Sequence, residues 1–113
     1  MTHAAIWIDP ARMGGKPCLH GHRLPVSHVA LNIDAEGSVD AYMESYGIDP
    51  SERRNVLCAA AWWVLNSSRR YKHHRELRKR WRDWAEVTWH NAWNTVEPVE
   101  LDDPPARTEG GAK

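Results

Sequence analysis

PVSHVALNIDAEGSVDAYMESYGIDPSERRNVLCAAAWWVL, residues 25–65, is the stretch on which the fold turns. Val26, Val29, Ala30 and Ile33 stand at i, i+3, i+4 and i+7, which is one face of a helix. Pro25 suits the first helical turn, and Gly37 supplies the stop. Ser38 is a good N-cap for a second helix, in which Val39, Tyr42, Met43 and Tyr46 repeat the spacing before Gly47. Asp49 can cap a third, with Pro50 at its first position and Glu52 reaching back as in a capping box. From Val56 to Leu65 that helix is apolar on almost every side, so it is central or shared between subunits. Tight glycine-centred turns between short helices predict a trihelical, helix-turn-helix unit over about 25–66.

Before this unit the pattern differs. Gly14, Gly15, Pro17 and Gly21 punctuate short apolar pieces at Ile6, Ile8, Cys18 and Leu19. This predicts a β element with strands near 5–8 and 17–20. The expected domain is therefore 1–66, a β/turn segment leading into the trihelical unit.

After it, residues 67–94 hold neither Gly nor Pro and are helical in pattern. A helix newly started at Ser67-Ser68 would crowd Arg69, Arg70 and Lys72 at the positive end of its dipole. One long helix over about 50–94, bent at the serines, is the favoured reading. It would reach ~65 Å, too long for a small chain to cover, which points to a partner subunit. Residues 67–96 are read as a basic, Trp-rich extension. Residues 97–113, with Pro98, Asp102-Asp103-Pro104-Pro105 and Gly110-Gly111, are read as a flexible acidic tail.

The chain has 113 residues and a formal net charge of zero, but the charges are segregated. Residues 1–68 carry five basic and seven acidic groups (−2), residues 69–82 eight and one (+7), and residues 83–113 two and seven (−5). At ~100° per residue Lys72, Arg75, Lys79 and Arg82 share one arc, with Arg69 and Arg80 beside it. Leu77, Trp81, Trp84 and Thr88 fall on another arc. A basic face on an amphipathic helix suits phosphate neutralisation along a nucleic acid. It also suits a solvated face, one matched by the acidic tail, a membrane surface or a partner protein.

Six of the seven Trp fall between 62 and 93. Trp62, Trp63, Trp81 and Trp84, with Leu77, are read as core or dimer interface. Trp89 and Trp93 lie on the side of Arg75 and Arg82, suited to an oligomer contact or helix end-packing, and less to base stacking.

Other classes are excluded on residue grounds. No apolar run approaches ~18 residues, so no membrane span is expected, and Met1–Trp7 does not read as a secretory signal. Two Cys are too few for a disulfide scaffold, so a reduced, cytoplasmic setting is expected. Cys18-Leu19-His20-Gly21-His22 lacks zinc-finger spacing, even with Cys58 and His73-His74 considered. Gly14-Gly15-Lys16 lacks the rest of a phosphate loop, and no nucleophile motif occurs. No enzyme, metal or cofactor is expected.

The run Ile8-Asp9-Pro10 followed by Met13-Gly14-Gly15-Lys16-Pro17-Cys18-Leu19-His20-Gly21-His22-Arg23-Leu24-Pro25-Val26 resembles the opening motif of the domain of unknown function 433 family. Gly37-Ser38-Val39, the Tyr46 turn and Ala59-Ala60-Ala61 continue it, so the resemblance covers about residues 5–64. Gly15, Pro17, Gly21, Arg23, Pro25 and Val26 match the motif and are read as structural. The resemblance implies a homeodomain-like fold behind a short β element. It further implies a VapB-like antitoxin, DNA-binding and often dimeric, that clamps a toxin of PIN-like nuclease fold. On that reading Ser51, Arg53, Arg54 and Asn55 stand at the N-terminal end of the recognition helix, where Arg and Asn suit guanine and adenine edges.

The resulting expectation is a mainly α, dimeric DNA-binding antitoxin or small transcriptional regulator. Ser51, Arg53, Arg54 and Asn55 would probe the groove. Arg69, Lys72, Arg75, Lys79 and Arg82 would hold phosphates. Trp62, Trp63, Leu77, Trp81, Trp84, Trp89 and Trp93 would form the interface. The alternative is a protein-interaction module without DNA affinity, a toxin neutraliser, inhibitor or assembly adaptor, using its Trp/Arg surface.

Overall fold

The structure is a computed structural model that describes residues 5–11, 13–66, 74–92 and 100–106. It is mainly helical behind a short β element. Strands β1 (Ile6–Trp7) and β2 (Cys18–Leu19) pair antiparallel, Ile6 opposite Leu19 and Trp7 opposite Cys18. The chain then turns through Gly21, whose φ of +84° lies in the left-handed region open to glycine. Leu19 N–H closes this turn on the Leu24 carbonyl at 2.8 Å. Val26 N–H donates to the Pro17 carbonyl at 2.9 Å, so the β element delivers the chain directly into the first helix.

Helix α1 (Val26–Glu36) buries Val26, Val29, Ala30 and Ile33, the predicted face, and ends at Gly37 with φ +90°. The Ser38 side chain accepts from Ala41 N–H at 3.0 Å and starts α2 (Val39–Ser45), which buries Val39, Tyr42 and Met43. Tyr46 departs from the expected face: it follows the last turn of α2, is 42% exposed, and stacks on His28 and Tyr42. The Asp49 carboxylate accepts from Ser51 N–H at 2.8 Å and begins a short 3-10 turn, Pro50–Glu52, that runs into α3 (Arg53–Asn66). The expected capping box does not form. The Glu52 carboxylate instead meets His22 Nε2 at 2.9 Å, which ties the β/turn segment to the start of α3.

Helix α3 is buried from Val56 through Ala61 and again at Trp63 and Val64, as its all-round apolarity requires. It packs against every other helix. Ala59, Ala60 and Ala61 have no side chain beyond Cβ, so neighbouring elements approach closely there.

The chain beyond α3 corrects the expectation of one long helix. Helix α3 ends at Asn66, and α4 (Arg75–Ala92) returns along it. The greatest extent of the molecule, 44 Å, is shorter than the ~65 Å such a helix would need. Dipole polarity is worth only ~0.3–1 kcal/mol at an exposed end. Covering the apolar flank of α3 is worth far more, at roughly 25 cal/mol per Å². Helix α4 also begins late enough for Glu76 to stand in its first turn and His90 in its last. Leu77, Trp81, Ala85 and Thr88 form its buried stripe. The argument that a partner subunit must cover the helix therefore falls away.

Two side chains fasten α4. Arg80 Nη1 reaches the Asp34 carboxylate of α1 at 2.9 Å, with both side chains largely out of water (12% and 8% exposed). Its other nitrogens hold Glu76 one turn back at 3.0–3.1 Å, and these hydrogen bonds, with Asp34, push its proton affinity higher still. Trp81, 1% exposed, donates its indole N–H to the Pro105 carbonyl at 2.9 Å.

That bond belongs to a second correction. Residues 100–106 are docked rather than free. Leu101 is buried, Trp84 Nε1 donates to the Asp102 carbonyl at 2.9 Å, and Arg53 Nη1 donates to the Leu101 carbonyl at 2.8 Å. The segment lies as a strap from the start of α3 across the middle of α4 to the end of α1. Among the described residues no helix is long and apolar enough to cross a membrane.

Removing one partner of a buried pair leaves the other charged and stranded. Arg80→Ala is therefore expected to lower stability by about 3 kcal/mol in urea unfolding. The double variant with Asp34→Ala should lose less than the two single losses combined. A loss below about 1 kcal/mol, as for a solvated surface pair, would contradict this account of α4.

Candidate functional site

The N-terminal end of α3 is where groove-reading side chains were expected, and its own chain occupies it. Arg53 pairs with the Asp103 carboxylate of the strap, donates to the Leu101 carbonyl, and has Asp40 of α2 at 3.8 Å. Arg54 Nη2 donates to the Asn91 carbonyl at the end of α4 at 2.9 Å. These bonds satisfy carbonyls that a helix end and an irregular strap leave open. Both arginines thus serve as internal ties in this arrangement, which corrects their expected role at base edges. Ser51 is exposed, and its N–H is taken by Asp49. That contact holds the Asp49 carboxyl below its ordinary range. Asn55 is half-buried.

The basic face of α4 survives in part. Arg75, Lys79 and Arg82 are exposed along one arc, opposite the stripe of Leu77, Trp81 and Ala85. Arg82 has Glu86 at 3.9 Å across one turn. No ion pair with a described residue engages Arg75 or Lys79. Arg80, expected beside this face, has turned inward to Asp34. Arg69, Lys72 and Trp93 lie outside the described residues.

The expected interface set divides. Leu77, Trp81 and Trp63 are buried in the chain's own core, the core side of the expected core-or-interface reading. Trp62, Trp84 and Trp89 are half-buried against that core. Trp84 is also fixed by the strap, with its ring 5.5 Å from that of Trp81 in an edge contact.

In the β/turn segment the motif residues act on the backbone. Gly15 and Gly21 have φ of +81° and +84°, Pro17 offers its carbonyl to Val26, and Pro25 precedes α1 in extended backbone. Arg23, also read as structural, is exposed and makes no hydrogen bond or ion pair with a described residue. The His and Cys side chains of 18–22 point to separate partners. Cys18 Sγ donates to the Lys16 carbonyl, His20 stacks on Trp7, and His22 meets Glu52. Among the described residues no group of three or more His, Cys, Asp or Glu could hold a metal ion.

One feature escaped sequence reading. A cleft of about 420 Å³ opens between the β/turn segment, the start of α1, the end of α3 and the start of α4. Trp62, Trp63, Leu31, Pro17, Pro25 and Val26 line it with apolar surface. Lys16, Ser27, Asn66, His74 and Arg78 bring the polar atoms. Among the described residues no carboxylate lines it. Lys16 and Arg78 are 62 positions apart, and neither periodicity nor motif links them. Only the return of α4 brings them to one opening.

Burial pushes the Cys58 thiol up to about 11 from 9.0, against a smaller opposing pull from Arg54. Burial likewise raises Cys18. The native chain thus keeps the Cys58 proton to higher pH than the unfolded chain. Its contribution is full below pH 9 and is lost as pH rises from 9 toward 11. The wild type should lose more stability over that interval than Cys58→Ala. At about pH 8 iodoacetamide should modify both cysteines in urea and neither in the folded chain. Modification of folded Cys58 at a free thiol's rate would contradict its burial.

No curated protein and no solved structure matches the chain significantly. Residues 6–57 match the model of the family described as protein of unknown function (DUF433). The match spans the β element, α1, α2 and the first turn of α3, and this part of the chain is similar to that family.

Proposed function

We propose that this chain is a small nucleic-acid-binding regulator of antitoxin type that holds phosphates on the outer face of α4. The observation that carries the reading is the arc of Arg75, Lys79 and Arg82, three exposed cations within two turns, backed by a helix that Arg80 and Trp81 anchor rigidly. A fixed row of cations neutralises a phosphate backbone without ordering a flexible segment at the moment of contact. Base-edge readout by Arg53 and Arg54 is not part of the proposal, because both are tied internally. Dimerisation and a toxin partner enter through the family resemblance alone, and light scattering tests the first against the 13.0 kDa of one chain. No catalytic step is proposed.

A second reading, a protein-binding module that neutralises a toxin without touching DNA, has one observation in its favour. Val87 is 61% exposed on α4, one turn from half-buried Trp84. An aromatic edge beside an exposed aliphatic suits a protein contact.

Salt dependence separates the two. Affinity for duplex DNA should fall linearly on a log–log plot against salt. Arg75→Gln/Lys79→Gln/Arg82→Gln should flatten the slope by about 2.7, at ~0.9 per phosphate contact. A wild-type slope near zero, or a slope that the triple variant leaves unchanged, would remove the phosphate role.

A further inference from the structure

We infer that the cleft at the seam between the β/turn segment and α4 is a binding site for a small ring-bearing organic anion. Its volume of about 420 Å³ falls within the range of small-molecule sites. Its lining is largely apolar: the indoles of Trp62 and Trp63 with proline rings and aliphatics. Such a surface gains most from a planar ring that can stack. Its polar atoms gather under a positive rim. Lys16 is exposed at one edge, and Arg78 stands at the other with its Nε donating to the His74 carbonyl one turn back. The His74 ring packs edge-on against Trp63 at 5.7 Å.

The charge is one-sided. The chain has as many acidic as basic groups, yet among the described residues no Asp or Glu lines this cleft. A negative headgroup placed between Lys16 and Arg78 meets two permanent cations. The first turn of α1 forms part of the wall through Val26 and Ser27, and Pro25 before it offers no side-chain cap. Its partial positive charge adds to the same field. A carboxylate and a phosphate ester share this chemistry. The occupant is a small molecule because the two cations stand at one opening rather than along a track. Arg75, Lys79 and Arg82 do not line it, so this site stands apart from the nucleic-acid reading.

The test is a titration of the full ¹⁵N-labelled chain with 2-naphthoate, 2-naphthyl phosphate and the neutral 2-naphthalenemethanol, followed by NMR. Both acids should shift the Trp62 and Trp63 indole N–H signals and the Ser27 amide saturably. The neutral alcohol should bind about tenfold more weakly, as the loss of one charge-assisted contact requires. Lys16→Gln lies on the surface and leaves the core untouched, and it should weaken both acids but not the alcohol. Arg78→Gln should do the same, and the tighter acid identifies the headgroup. Alcohol and acids binding equally would overturn the inference. So would charge variants that bind like wild type, or shifts confined to Trp84 and Trp89.

Discussion

Everything beyond the first three helices depends on two neighbouring residues of α4. Arg80 and Trp81 are adjacent in sequence but point about 100° apart around the helix, so together they fix its roll as well as its position. Arg80 answers a carboxylate that α1 holds almost out of water. Trp81 fills the seam between the end of α1 and the strap, beside Ile33 and Pro104. With the roll fixed, the Arg75 arc faces outward and Arg78 faces the cleft. Both candidate binding surfaces are consequences of one docking event.

Much of the architecture was legible locally. The period of 3.6 from Val26 to Ile33, the Ser38 and Asp49 caps, and the glycine stops at 37 and 47 act within a few residues. Their outcome hardly depends on the rest of the chain. The errors came where long-range contacts compete with local signals. Glu52 could cap its own helix or meet His22, thirty residues away, and the contact with His22 took it. The dipole argument against a helix after the serines was sound locally and too small to matter. The apolar flank of α3 demanded a cover, and α4 carries a matching stripe.

The site residues followed the same division. The arc of Arg75, Lys79 and Arg82 was readable, since it needs only helical geometry. The fate of Arg53 and Arg54 was not, because their partners lie on the strap and at the end of α4. Nor could sequence place Lys16 beside Trp62. By charge alone the acidic tail is a match for the basic face of α4. Its docked part instead sets Asp103 on Arg53, the first residue of α3. The end of α3 that the family resemblance assigns to the groove is therefore covered by a segment outside the matched residues.

The central claim is that α4 and the strap close on the domain as one cooperative unit, with Trp81 as the locking side chain. Hydrogen exchange at the Trp81 indole N–H tests it most directly, because that proton is held only while strap and helix are both in place. The account predicts exchange governed by global unfolding, and loss of that protection when the chain is truncated before Glu100. Exchange at the rate of a free indole in the intact chain would contradict it.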